Sequence, residues 1–191
     1  MEATLLVLAG GDSRRMGRPK AWLEVGDTTL LRWMVERLAP AFSDVLISFA
    51  EPEQLEDHVP YRLVFDRRSS RGPLAGIEAG LAAARTEVSF VVACDMPYVS
   101  GALAQMAVTA ARGCDAAIPR VGERPEPVCA AYRKSALPVI IAALNAGELK
   151  AADVVSRLDV TWLDGQDPEQ FESLNTPDDY RRFHGAFLRP R

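Results

Sequence analysis

No apolar stretch in the 191 residues approaches the roughly 20 needed to cross a bilayer as a helix, which excludes a membrane-spanning helix. Basic charge is not in excess either: 22 Lys and Arg stand against 26 Asp and Glu, a formal net charge of -4. A dedicated nucleic-acid binder normally carries a basic field, so that class is excluded as well. Cysteine is scarce, and Cys94, Cys114 and Cys129 are too widely spaced for a C-x-x-C pair. Neither a zinc site nor a dithiol redox motif follows; the expectation is three reduced, buried thiols in a cytoplasmic protein. The two histidines, His58 and His184, lack metal-ligand spacing and read as surface residues. Met1–Ala9 is apolar but short, has no basic start and runs into Gly10-Gly11, so it reads as a first strand rather than an export signal.

What is present is a hydrophobic content of 48 %, which excludes disorder and fills the core of one domain spanning 1–191. Short apolar runs predict strands at Thr4–Leu8, Asp44–Phe49, Arg62–Phe65, Val88–Ala93, Asp115–Pro119, Glu126–Tyr132 and Val160–Leu163. Helical spacing predicts Thr28–Ala39, Pro73–Arg85, Gly101–Arg112, Ser135–Asn145, Ala151–Arg157 and a last helix from Pro177. Thr176, Pro177, Asp178 and Asp179 mark that last start, combining a cap, a first-turn proline and charges suited to the helix dipole. Alternating strands and helices predict a Rossmann-like α/β domain, its mostly parallel sheet covered by helices on both faces. Pro119–Pro127 reads as a long mobile loop and the acidic Glu51–Asp57 stretch as a solvated helix face. Trp22, Trp33 and Trp162 read as core or edge packing.

In open α/β sheets ligands bind beyond the carboxyl ends of the strands. The first strand ends in Leu8-Ala9-Gly10-Gly11 and continues through Arg14, Arg15, Arg18 and Lys20. Adjacent glycines allow close approach of the main chain to a ligand, and four cations within seven residues suit a polyphosphate. Better-known loops fail on spacing. Gly11 and Gly17 are separated by five residues and followed by Arg18-Pro19, which is not a Walker loop. Gly10 and Gly11 are adjacent, which breaks G-x-G-x-x-G. Ser13 lacks the second glycine of an esterase elbow.

The whole segment from Leu8 to Lys20, with its Arg15-Met16-Gly17 and Pro19-Lys20, resembles the nucleotidyltransferase signature of the molybdenum cofactor guanylyltransferases. Asp66 with Gly72-Pro73-Leu74-Ala75-Gly76, Cys94-Asp95-Met96-Pro97, Pro125-Glu126-Pro127-Val128 and Asn175-Thr176-Pro177 match further segments of that family in order and spacing. The resemblance spans nearly the whole chain. It departs at Ser48, where the family often has an asparagine that helps to hold the nucleotide.

The resemblance implies a nucleotide-diphospho-sugar transferase-like fold. It also implies transfer of GMP from GTP to a molybdopterin-type molybdenum cofactor, with release of pyrophosphate and Mg²⁺ as cofactor. Asp95 would be the metal ligand, since Mg²⁺ accepts one protein carboxylate completed by phosphates and waters. Arg15 and Lys20 would hold the leaving phosphates. Leu8, Ala9, Gly10, Gly11, Ser48, Asp66, Gly72, Pro73 and Leu74 would form the nucleotide pocket with Lys20 and Asp95. Asp66 reads either as an acceptor for guanine or ribose donors or as a strand-end turn. Asn175 reads either as a second-substrate residue or as the position before a helix cap. Arg120, Arg124 and Asn175 are the candidates for the acceptor side. Two other functions remain open on sequence: cytidylyl transfer to the same cofactor, and a noncatalytic nucleotide-binding regulator. Transient contact with other proteins of cofactor biosynthesis is a further expectation.

Overall fold

The central strand β1 (Thr4–Leu8) is apolar at nearly every position and buried throughout, as a strand covered on both faces must be. The structure, a computed structural model, describes residues 1–10, 19–66 and 72–187. The chain continues through a hairpin of β2 (Glu24–Val25) and β3 (Thr28–Thr29), then α1 (Leu30–Leu38), β4 (Asp44–Phe49), β5 (Arg62–Phe65) and α2 (Gly72–Ala83). Next come β6 (Val88–Ala93), α3 (Gly101–Ala110), β7 (Ala116–Val121), β8 (Arg124–Pro125) and β9 (Cys129–Arg133). α4 (Leu137–Asn145), α5 (Ala151–Val155), β10 (Val160–Leu163) and α6 (Pro177–Phe187) complete it.

The main sheet has the order β10-β7-β9-β6-β1-β4-β5, with β8 paired to β7. β1 pairs in parallel with β4 on one side and β6 on the other, β4 with β5, and β7 with β10. Alternate residues of β1 divide the core. Leu5 and Val7 face Leu30, Met34 and Val35 of α1, with Leu103, Ala107 and Phe183 from α3 and α6. Leu6 and Leu8 face Leu74, Ile77 and Leu81 of α2, with Ile140 and Val154 from α4 and α5. The α/β expectation holds, with helices on both faces.

β9 is antiparallel to both β6 and β7. No helix separates β7 from β9, and a parallel return would need a crossover of a dozen or more residues. The segment 119–127, expected to be a mobile loop, is instead a tight hairpin. Arg120 pairs with Pro125 and Val121 with Arg124 around Gly122 at φ 60°. The acidic stretch after β4 makes only a short 3-10 turn at Pro52–Gln54, closed by the Gln54 side chain accepting from the Ala50 and Glu51 N–H groups. The helix expected from Thr28 begins at Leu30, because Thr29 caps it by accepting from Arg32 N–H. All three cysteines are free and buried. Among the described residues no helix is long and apolar enough to cross a membrane.

At the opposite edge from the strands' carboxyl ends, buried Asp44 accepts from Arg62, from the Thr4 hydroxyl and from Arg85 N–H. This network ties β1, β4, β5 and the end of α2 together.

Candidate active site

β1 stands where the chain order reverses: β4 lies on one side and β6 on the other, which opens a crevice at their carboxyl ends. Leu8, the last residue of β1, borders both halves of that crevice. Its carbonyl accepts from Cys94 N–H at 3.0 Å. Its side chain lies 3.1 Å from where a Cβ on Gly76 would sit.

On the α1 side, Lys20 Nζ lies 2.6 Å from Asp95 Oδ2 and donates to Asn175 Oδ1 at 2.8 Å. Three distant segments therefore meet at one ammonium group. Asp95 follows β6 in a turn, where Leu174 N–H donates to its carbonyl at 2.9 Å. Asn175 is held from behind: its N–H and that of Thr176 donate to Asp179 Oδ2, while Asp179 N–H donates to Thr176 Oγ1. These bonds make a reciprocal helix cap. The backbone of Asn175 stands just before a helix cap, as one of its two sequence readings has it, and its amide oxygen accepts from Lys20. The hydrogen bonds from Thr176 and Arg182 hold the Asp179 carboxyl down at about 2.

On the α2 side, the Ser48 hydroxyl donates to Asp66 Oδ1 at 3.3 Å. Burial pushes the Asp66 carboxyl up to about 6, opposed by the Ser48 hydrogen bond and reinforced by the charge of Glu78. Gly76 makes this cluster possible, because a Cβ there would sit 3.0 Å from Ser48 Oγ. Gly10 is equally constrained, since its Cβ would fall 2.3 Å from Ala50 N.

The geometry assigns some residues differently from the sequence. Ala9 and Gly10 both donate their N–H groups to the Ser48 carbonyl, so in this arrangement neither is left for a phosphate. Leu74 is buried in the α2 and α4 layer, and its side chain is packing rather than pocket. Gly72 starts α2 at φ 64° and Pro73 follows it at the surface. Arg120 is spent on a bidentate pair with Asp164 and on the Trp162 ring 4.7 Å away, so it is not a free acceptor-side cation. Arg124 is exposed and paired with Glu126. Gly11 and Arg15, with the neighbouring Arg14 and Arg18, lie outside the described residues.

Comparison with known proteins places the chain in a family and agrees with its fold. The model of the MobA-like NTP transferase domain matches residues 5–161. The chain belongs to that family. It is a nucleotidyltransferase. A protein of Methanosarcina mazei named "Probable molybdenum cofactor guanylyltransferase" is 38% identical over 199 residues, covering 94% of this chain and 89% of that protein. One of the same name from Pelotomaculum thermopropionicum is 35% identical over 186 residues, covering 94% and 90%. The solved structure of molybdopterin-guanine dinucleotide biosynthesis protein A from Archaeoglobus fulgidus superposes with a TM-score of 0.85 at 27% identity, covering 96% of this chain and 97% of that one. The 2-C-methyl-D-erythritol 4-phosphate cytidylyltransferase of Thermus thermophilus shares the fold, with a TM-score of 0.74 at 23% identity and coverage of 98% and 99%.

In this nucleotidyltransferase the structure groups Lys20, Asp95 and Asn175 on one side of Leu8, and Ser48 with Asp66 on the other. Two carboxylates escaped attention. Glu78, on α2, is buried with Oε2 lacking a hydrogen-bond partner. Glu126 appeared only as a letter in a proline-flanked motif. The signal for both was the same, an acid inside an otherwise apolar or proline-rich run.

Proposed function

We propose that this nucleotidyltransferase moves GMP from GTP to the terminal phosphate of a molybdopterin-type molybdenum cofactor, releasing pyrophosphate. The observation that carries the reading is the ammonium of Lys20 seated between Asp95 and Asn175 at the carboxyl end of β1 and β6. The names of the relatives support the choice of guanine and of the acceptor. Ser48, near the end of β4, and Asp66, just after β5, take the nucleoside end; Lys20 takes the phosphates. An acceptor phosphate oxygen attacks the α-phosphorus in line, the bond from that phosphorus to the bridging oxygen breaks, and a phosphoanhydride is formed as pyrophosphate leaves. The attacking phosphate is already an anion, so no protein nucleophile is needed. Lys20 exchanges Asp95 for the triphosphate and holds the leaving group as a point charge. Asn175, with its backbone fixed by Asp179, and Arg124 face the acceptor.

Among the described residues no cluster of three or more His, Cys, Asp or Glu side chains could hold a metal. Asp95, partly exposed, would supply one hard oxygen to a metal, the other ligands coming from phosphates and water. That donor set fits Mg²⁺, whose chemistry when bound is to neutralise phosphate charge. The test is a panel of GTP, CTP and ATP with purified molybdopterin cofactor, following pyrophosphate and the mass of the dinucleotide product. GTP turned over fastest is the expected result. CTP turned over fastest would make the protein a cytidylyltransferase.

A further inference from the structure

β9 runs opposite to β6, so its beginning stands at the same edge of the sheet as the end of β6. Val92 pairs with Cys129, and Ala93 N–H donates to the Val128 carbonyl at 3.0 Å. Asp95 comes two residues after Ala93, and Glu126 two residues before Val128. The antiparallel strand thus brings a second carboxylate to the same edge of the sheet as Asp95.

Glu126 is rigid and poorly served. Its N–H donates to the Pro119 carbonyl at 2.9 Å and its own carbonyl accepts from Cys129 N–H at 3.0 Å. Prolines on either side restrict the backbone further. Only 8% of the residue is exposed. Oε1 is buried, and it is paired with the guanidinium of Arg124, whose Nη2 lies 2.7 Å away on a side chain that is itself 69% exposed. Burial raises the Glu126 pKa, against the pull of Arg124. A buried carboxylate held by one exposed, movable guanidinium can exchange that partner for donors from a ligand, which would keep it satisfied inside the protein. Phosphate cannot supply them, since it would be repelled.

The ligand chemistry that fits is a pair of parallel N–H donors on a planar ring, the 2-amino-4-oxo edge, which matches the two oxygens of a carboxylate. A pterin carries that edge, and so does guanine. Position separates them. The nucleoside cluster of Ser48, Asp66 and Gly76 lies on the β4 and β5 side of β1, whereas Glu126 lies beyond β6 in the opposite half of the sheet. We propose that Glu126 binds the 2-amino-4-oxo edge of the acceptor pterin, and that Arg124 covers the carboxylate until the acceptor arrives. This rests on the reading of the acceptor given above.

The experiment titrates the full-length protein with 6-hydroxymethylpterin and with its 2-oxo analogue 6-hydroxymethyllumazine, by ligand fluorescence, with GTP binding measured alongside. The wild type is expected to prefer the pterin by about tenfold, because the analogue leaves one carboxylate oxygen unpaired. Glu126→Gln should abolish that preference with GTP affinity unchanged, and Arg124→Ala, which uncovers the carboxylate, should tighten pterin binding. A wild type indifferent to the two probes, or a Glu126→Gln protein that keeps the preference, overturns the proposal. So does a Glu126→Gln protein that loses GTP affinity in step, which would move the residue to the nucleotide side. Weaker pterin binding by Arg124→Ala removes the cover. Failure of the wild type to bind GTP at all would instead count against the proposed reaction.

Discussion

Lys20 Nζ stands 2.6 Å from Asp95 Oδ2, joining the first residue of the 3-10 turn Lys20–Trp22 to the turn that follows β6. A cation thus occupies the carboxylate that a divalent ion would need. Asp95→Asn keeps an oxygen for Lys20 but removes the negative charge. Turnover should fall by at least about a hundredfold while thermal unfolding stays close to wild type. Wild-type turnover across a Mg²⁺ titration would show that Asp95 is not the metal ligand.

The same contact predicts competition. In Lys20→Met the Asp95 carboxylate loses its internal counter-ion, so Mn²⁺ without nucleotide should bind more tightly than to wild type, read by the loss of free Mn²⁺ signal in electron paramagnetic resonance. GTP affinity should fall by about tenfold or more, since a charge-assisted contact to phosphate is lost. Unchanged Mn²⁺ affinity would mean that Lys20 does not mask the site.

Asp66, raised to about 6, gives a pH signature. If its ionised form accepts from guanine, affinity for GTP is full above that value and falls as the pH drops below it, approaching tenfold per unit. ATP titrated in parallel accounts for protonation of the triphosphate itself. Asp66→Asn should flatten the difference between the two nucleotides. A GTP profile that tracks ATP throughout would return Asp66 to a structural role.

Gly76→Ala would place a methyl 3.0 Å from Ser48 Oγ and 3.1 Å from Leu8 Cδ2. A stability loss of about 1–3 kcal/mol is expected from overpacking. Nucleotide binding should weaken beyond what that loss accounts for, because Ser48 is pushed against Asp66. Denaturant melts and GTP titration of the same protein separate the two effects.

At the other edge, Asp44 tests stability alone. Burial would raise its pKa, but the bonds from Arg62, Arg85 N–H and Thr4, with the Arg62 charge, hold it below the usual carboxylate value. A depressed pKa stabilises the fold fully above the unfolded value of about 3.9 and loses that contribution as the pH falls through the folded value. Asp44→Ala should cost about 1–3 kcal/mol near neutrality, from the stranded donors. In acid denaturation, its curve and that of the wild type should converge toward low pH. A constant gap down to pH 2 would mean that the carboxylate charge is irrelevant.

The strands β1, β4, β5 and β6 were legible because each is a short, largely apolar run ended by a turn signal, as strands of a sheet covered on both faces are. Asp95 and Asp66 could be placed at strand ends for the same reason. Local pattern failed where pairing is decided at a distance. The Arg120 to Pro125 hairpin contains polar residues and two glycine or proline breaks, so it read as a loop until β7 supplied its partner. Likewise nothing in the sequence around Arg120 announces Asp164 or Trp162, which take its charge and its face.

By itself the sequence determined the α/β alternation and singled out Lys20, Asp95, Asp66 and Asn175 as candidates, since periodicity and residue type are local properties. Tertiary structure decided what those residues do to one another. It set Lys20 on Asp95 rather than in solvent, buried Asp66 enough to move its proton, and turned β9 antiparallel so that Glu126 reached the edge where Asp95 already stood. Hydrogen-bond register, desolvation and charge pairing depend on which strands become neighbours, and that depends on the packing of the whole sheet.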